Sequence, residues 1–497
     1  MIFRVRLDVF LLAYLSLVGF AYSVFPQAIK VLGFSSLAII ASGLLNSTES
    51  TKGIKKILAG VVSLPFPHSL LLFLLLLTVF TVKRPAIKKT GSTIVLAVFI
   101  GYSLLLSIFG MEERFGLSIL FWMSTFLSGW ILFLLYVNKF DGHKQECVAK
   151  FFINIMTIEI IIGIIQYIFA STLNITGADG VLVSDSVKGS FGDAHVFGFF
   201  LTGYIFYIFY MLFKGQAFIR HLLLLPILVV LVTLTDAKIV IASATIGFMS
   251  FSLIMGFSVK RLPIKLLSFS LGVFVAYLFS WGVESIKQSA TYEFVAINYI
   301  ENEFSKKPLF IDRSINQFMI DDPVHWYLGV GPGQFGSLAN EILSSDVLYT
   351  SKSYHVPLAS TWTKMYMSDV GDRAFREEIH GNHSFVLSNY YSGMMAVKNE
   401  SGLIGFLLFC TVCLAVIFGL VKSSVVGGNS VKVIGLRVML GTIFIGVVTF
   451  STVDPTFEMS QLMNPLLLLV ALMTATSFQQ SPGNVPVIPP KTRGAQK

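Results

Sequence analysis

The sequence predicts an all-α polytopic membrane protein, and three observations carry that expectation. Hydrophobic residues fill 55% of the 497 positions and charged residues 13%, which is not the composition of a soluble domain. The apolar residues fall in runs long enough to cross a hydrocarbon core, a distance that takes about 20 helical residues. Lysines and arginines gather in the joins between runs, and mostly on alternate joins, as cytoplasmic membrane edges do.

Candidate spans run at 8–25, 28–47, 58–81, 92–109, 115–137, 149–171, 193–213, 219–235, 238–257, 264–282, 401–421, 433–452 and 461–477. The first lacks a small-residue cleavage site and feeds straight into more apolar sequence, so it reads as a retained span and not a signal peptide. From residue 82 onward the direction of each span follows from charge. KRPAIKK (83–89), the segment with Lys139, Lys144 and Lys150, the pair Lys214/Arg220, the block Lys260/Arg261/Lys265, the pair Lys422/Lys432 and the basic tail share one side. The positive-inside rule makes that side cytoplasmic. The joins 110–114, 172–192, 234–237, 283–400 and 453–460 then face outward.

The N-terminal region conflicts with this scheme. Three spans ahead of an inward KRPAIKK put Met1 outside, whereas Arg4 and Arg6 favour the inside. Pro65 and Pro67 make the third candidate the suspect. Twelve full spans with both termini inside is the expected count, and thirteen is the alternative. The chain then divides into an N-terminal transmembrane bundle (1–283), one large extracytoplasmic loop (284–400), C-terminal transmembrane helices (401–478) and a proline-rich, disordered cytoplasmic tail (479–497).

The formal charge of +9 does not indicate nucleic acid, because its cations flank apolar runs; the expected surroundings are membrane lipids. Cys147, Cys410 and Cys413 make no disulfide framework, and the last two read as buried thiols in an apolar run.

The outward loop is the one insertion large enough to organise a site. Its GPGQFG matches GxGxxG by letter, but it lies on the outer face, contains Pro332 and has no βαβ context, so it is not read as a dinucleotide site. Its glycines either let backbone pack tightly under the loop or expose amides to an anion. Lys364, Asp369, Asp372, Arg373, Arg376, His380, His383, Ser384, Tyr390, Tyr391, Lys398 and Glu400 crowd the stretch before the span at Ser401. Polar groups at that depth must be paired or solvated. His380 and His383 would share a helical face, yet two ligands without a third and fourth are a weak metal signal. His383 suits a base better, since neutral imidazole accepts a proton near physiological pH.

Two other places carry charge at outward ends of spans. In TLTDAK (233–238), Lys238 snorkels, pairs with Asp236 or offers a free charge. In SDSVKGSFGDAHVFGFF (184–200), Lys188, Asp193 and His195 lead into the seventh span. If both places converge with 370–400, the product is an outward cavity with several cations and an imidazole. Such a cavity suits a diphosphate leaving group, with lysine acting as a point charge.

SFGDAHVFGFF at a span start, LTDAK at an outward turn, GVGPGQF in a large loop and NHSF…ESGLIGFLLF re-entering the membrane resemble the O-antigen ligase and polymerase superfamily. The similarity covers most of residues 180–450. It implies a GT-C-like fold in the bacterial inner (plasma) membrane, with the active site facing the periplasm or cell exterior. It also implies transfer of a glycan from undecaprenyl diphosphate to an acceptor hydroxyl, with inversion and with no metal or other cofactor. By motif, the imidazole that activates the acceptor falls on His383, the E-x-G-x-x-G residues on Glu400, Gly402 and Gly405, and the two diphosphate-binding cations on Lys238 and Lys188.

Departures are plain. Asn382-His383 reverses the usual order and Glu400 lies farther on, so His380 is the alternative imidazole. Lysines replace arginines, and Ala194-His195 replaces proline-asparagine, which leaves Arg313, Arg373 and Arg376 as further phosphate contacts. His380, His195, Asp236 and Asp193 are supporting residues, and Glu400 is expected to cap or orient the loop. The expected activity is that of a polysaccharide (O-antigen, capsule or exopolysaccharide) polymerase acting on a lipid-linked glycan acceptor, with a chain-length regulator as a further protein partner. The alternatives are an O-antigen ligase using a lipid-core acceptor and a polysaccharide or lipid transporter, the latter expected to string polar residues through mid-membrane.

Overall fold

A computed structural model describes residues 7–24, 28–46, 50–65, 68–109, 115–172, 187–216, 219–235, 238–255, 309–339, 360–362, 365–366, 392–425, 430–452 and 456–474. All regular structure among them is helical. Among the described residues, six helical stretches are long and apolar enough to cross a membrane, and six shorter helices are also apolar. That is the make-up of a multispan membrane fold.

The first helices remove the conflict at the N-terminus. α1 (Leu7–Val24) and α2 (Ala28–Asn46) pack together through the Tyr14 hydroxyl, which meets Leu32 O at 3.0 Å and Ser36 Oγ at 2.8 Å. The expected single span 58–81 is instead two helices, α3 (Thr51–Val62) and α4 (His68–Lys83). Pro65 has no N–H with which to continue a helix. Ser63 ends α3 just before it, donating its N–H to Ala59 O at 3.2 Å.

α3 runs up alongside α2, with Gly43 facing the Gly53 carbonyl and Ser63 Oγ 3.0 Å from Ser36 Oγ. α4 then runs back down. Its His68 ring meets Phe34 edge-on at 5.0 Å, and Lys83 Nζ reaches Leu44 O and Leu45 O at the far end of α2. Lys55 of α3 pairs with Asp8 at 2.7 Å. Two helices in place of one therefore bring the start of α1 and KRPAIKK to the same end of the bundle.

The chain continues through α5 (Gly91–Phe109), α6 (Phe115–Trp122), a π-helical turn (Met123–Leu127), α7 (Ser128–Tyr136), α8 (Gly142–Thr172), α9 (Ala194–Phe213), α10 (Ile219–Leu234) and α11 (Lys238–Ile254). The span expected at 264–282 and the tail at 479–497 lie outside the described residues. A second π-helical turn (Arg313–Gln317), α12 (Phe318–Asp321) and α13 (Pro323–Leu328) precede α14 (Gly393–Val425), α15 (Val431–Phe450) and α16 (Ser460–Met473). α14 thus starts ahead of the boundary expected at Ser401.

α15 and α16 form the buried centre. α11 and α9 flank α15, α7 packs on α16, and α5 on α14. Where α7 meets α16, Ser128 Oγ donates to Asn464 Oδ1 at 2.7 Å, so both mid-bundle polar groups are satisfied. Large apolar side chains such as Phe10, Leu74, Val98, Ile161, Leu253 and Phe418 stand exposed around the outside. In a membrane protein, lipid covers such a belt.

The bundle's two ends differ in chemistry. One end carries Lys83, Lys88, Lys139, Lys144, Lys150, Lys214, Lys422 and Lys432 and is called the basic end below. The other, the loop end, carries the ordered loops 187–193 and 329–339 and the start of α14.

Candidate functional site

The site at the loop end begins with a break in a helix. Within α14, Gly402 has φ 65° and ψ −179°, which no helix accommodates. A break there deprives the preceding carbonyls of their partners one turn on. The glycine strap 329–336 supplies new ones: Val330 N donates to Asn399 O at 3.2 Å and Gly331 N to Glu400 O at 2.9 Å. Close approach requires glycine on both sides. Gly329 has φ 97°, a Cβ on it would overlap the backbone of 400–402, and one on Gly402 would overlap Tyr327 O and Leu328 C.

The side chain of Glu400 completes the joint. Buried beneath the strap, its Oε2 accepts from Gly333 N at 2.9 Å and its Oε1 from Phe335 N at 3.1 Å. Glu458, on the 3-10 turn Thr456–Glu458, accepts from Ala339 N at 3.3 Å. The glycine loop therefore does present amides to an anion, and the anion is a carboxylate of the same chain. GPGQFG is not an open phosphate cradle, because Glu400 already occupies the amides of Gly333 and Phe335.

An aromatic layer covers the joint, built from Phe310, Phe318, Phe335 and Tyr366 with Trp326 and Trp362 beside them. The buried ammonium of Lys398 donates to Ser314 O at 2.7 Å and lies 4.3 Å from the Trp326 ring centroid and 5.1 Å from that of Phe318. Two ring faces and a carbonyl are what a desolvated cation accepts in place of water. Arg313 NH1 donates to Tyr366 O at 2.6 Å. Burial, then the nearby Asp321 and Asp322 carboxylates, push the Tyr366 hydroxyl up to about 12.

A second loop is held the same way. Glu159 of α8, fully buried, accepts from Ser190 N at 2.7 Å and from the Ser190 hydroxyl. Gln166, two turns further along α8, accepts from Lys188 N and Gly189 N, both at 2.8 Å, and donates to Gly189 O at 3.0 Å and Gly19 O at 2.8 Å. The Lys188 backbone is thereby fixed, with its side chain half-buried. Asp193 caps α9 through Val196 N at 2.9 Å. His195 is exposed and stacks on Phe450 with centroids 6.4 Å apart. Next to Phe450, Ser451 O accepts from Met394 N at 2.9 Å and Ser392 Oγ at 3.1 Å, so the end of α15 touches both groups.

The expected residues thus fall into three sets. Glu400, Lys188, Asp193, His195 and Arg313 are placed at the loop end as described. Lys238 opens α11 at the same end, since Ala244 of α11 lies against Gly446 near the end of α15; its side chain lies outside the described residues. His383, His380, Arg373, Arg376 and Asp236 also lie outside them. Sequence reasoning passed over Glu159, Gln166 and Glu458. A signal was present, because a lone glutamate and glutamine in TIEIIIGIIQ need partners inside a membrane.

Among the described residues, no three His, Cys, Asp or Glu side chains stand close enough to share a metal ion. Fold and site together define a multispan membrane protein with two ordered loops anchored at one end. No protein-family model matches the chain, and a search of curated protein sequences returns no match either.

Proposed function

We propose that this protein is a polysaccharide polymerase of the GT-C-like, polyprenyl-diphosphate-using kind, working at the outer face of a bacterial inner membrane. One observation carries the reading. GVGPGQF and E-x-G-x-x-G, two of the four stretches that carry the resemblance to the O-antigen ligase and polymerase superfamily, form a single unit through Glu400, at the end away from the lysine-rich joins. Lys188 and the start of α11, where Lys238 sits, are at that same end. By the positive-inside rule it is the extracytoplasmic end.

In this reading the donor is a glycan on undecaprenyl diphosphate. The acceptor hydroxyl oxygen attacks C1 of the donor as His383 takes its proton, and the bond from C1 to the diphosphate oxygen breaks with inversion. Lys188, Lys238 and a loop arginine, Arg313 among the candidates, offset the charge that develops on the departing diphosphate; loss of one such group costs about 3 kcal/mol of transition-state stabilisation. Glu400 takes no proton from substrate. It holds the strap.

The test is incubation of purified protein with a defined undecaprenyl-diphosphate repeat unit. A ladder of longer lipid-linked products is expected. Product only after addition of a lipid-core acceptor makes the protein a ligase, and no product with either acceptor refutes glycan transfer. His383→Ala should abolish the ladder while helicity and gel-filtration profile stay unchanged; full activity in that variant removes His383 as the base.

A further inference from the structure

The run from α12 through α13 turns five large apolar side chains outward: Met319, Ile320, Val324, Tyr327 and Leu328. Ile320 is 77% exposed and Val324 61%. On a surface facing water, a patch of this kind calls for an occupant. The opposite side of the run is packed, with Phe318 against Phe335 at 5.6 Å and Trp326 under Lys398.

Position identifies the occupant. Tyr102 OH donates to Leu328 O at 2.7 Å, and Tyr102 stands two turns short of the end of α5 at Phe109. At 1.5 Å per residue, Leu328 lies about 10 Å below the end of that helix. From the other side, Tyr327 and Leu328 abut Gly402, well inside α14. Here α5 exposes Leu105 and Ile108, and α14 exposes Ile404 and Leu407. The outward side chains of 319–328 thus continue the belt that lipid covers on α5 and α14.

The backbone meets the condition for such a place, where unsatisfied polar groups are costly. Asp322 caps the start of α13 through His325 N at 3.1 Å, Gly329 N closes it on His325 O at 2.7 Å, and Tyr102 takes the Leu328 carbonyl. The polar side chains of the run itself are partnered, Asp322 Oδ2 with His325 Nδ1 at 2.7 Å and Asp321 with the Tyr366 hydroxyl, and just ahead of it exposed Asn316 donates through Nδ2 to Asp312 Oδ1 at 2.6 Å. We infer that residues 319–328 form a re-entrant element whose Ile320, Val324 and Tyr327 side chains lie against the acyl chains of the bilayer leaflet at the loop end. This requires only that the protein span a membrane, and it stands whether or not glycan transfer does.

The test uses full-length protein in phosphatidylethanolamine/phosphatidylglycerol vesicles. Nitroxide labels are placed one at a time by Ile320→Cys, Val324→Cys, Asn316→Cys and Leu105→Cys, with Cys147, Cys410 and Cys413 replaced by alanine. The ratio of oxygen to nickel-chelate collision rates at 320 and 324 should match that at 105 and exceed that at 316 several-fold. A ratio at 320 and 324 equal to that at 316 means water covers the patch, and low collision with both reagents means protein does; either result overturns the inference. Because the cysteine replacements can disturb packing, the unmodified protein is also irradiated in vesicles containing a phospholipid with a photoactivatable group on its acyl chain. Adducts should map to the peptide holding 319–328, and adducts confined to other helices count against it.

Discussion

At the loop end, carboxylates hold amides while Lys398 and Arg313 hold carbonyls of loop backbone; at the basic end, cations hold the carbonyls of helix ends. Glu159 and Glu400 take N–H groups of Ser190, Gly333 and Phe335 from non-helical loops. At the other end, Lys83 takes the last carbonyls of α2 and Lys88 takes Asn138 O just past α7. Fully buried Arg437 joins Ser423 O of α14, Met473 O of α16 (2.8 Å) and Gln145 Oε1 of α8 (2.8 Å). At the basic end each cation meets carbonyls orphaned at a helix C-terminus, where the dipole favours its sign. What differs is the thing held. The basic end ties helix to helix, whereas the loop end ties irregular backbone into the bundle, an arrangement tolerated at membrane depth only where every polar group is met. The first is a clamp for the fold, and the second positions loops on which a site can stand.

That comparison is open to attack from both ends. The largest effect is expected from Gly402→Ala, where the new methyl meets backbone on the strap and the left-handed φ is strained as well. A loss of about 4 kcal/mol, or failure to accumulate, should follow. Gly419→Ala, in the same helix with nothing nearer than 3.7 Å, is the control and should be neutral. Equal thermal stability of the two variants in detergent would mean the strap does not need its close approach.

Arg437→Met comes next. It strips three acceptors of their donor, worth about 3 kcal/mol in all, and should lower the Tm of the whole bundle. Arg437→Lys keeps the charge but not the fork and should fall between. Glu400→Gln is smaller, about 1–2 kcal/mol, because one amide keeps an oxygen while the other faces an NH2 group. Its effect should be local: faster proteolysis within 329–339 with Tm little changed. If Glu400→Gln instead lowers Tm as Arg437→Met does and leaves the strap protected, the two ends are not different devices.

Much of this was legible in the sequence, and the failures have physical causes. Hydropathy and charge located most helices because each long apolar run has one way to be satisfied in lipid. The run 58–81 is continuous in hydropathy across Pro65; the backbone rule for proline made it suspect as a single span but did not show that it folds as two helices. Glycine spacing in 329–336 left tight backbone packing and amides for an anion both open, and the strap does both; Glu400 lies far away in the chain, and such a pairing leaves no local pattern. Arg437, a charge inside an apolar run, gave the same kind of signal as Glu159, but its partners were hidden, because the carbonyls it serves belong to helices brought together only by folding.

The smallest expected effect bears on the aromatic lid over the joint. Burial and the Asp321 and Asp322 carboxylates raise the Tyr366 hydroxyl from 10.0 to about 12 in the folded chain. Below pH 10 the phenol is neutral in both folded and unfolded chains, so no stability depends on pH through this group. Between pH 10 and 12 the unfolded chain has released the proton and the folded one has not. Unfolding then releases a proton, and stability falls as pH rises through that window. Tyr366→Phe removes the group, and other tyrosines titrate alike in both proteins. The Tm of the wild type minus that of Tyr366→Phe should therefore be constant up to about pH 10 and decline above it, by a few degrees at most. A difference that stays flat to pH 12 would place the hydroxyl in water and the carboxylates away from it. The joint at Glu400 would then lie under an open layer of rings instead of a closed one.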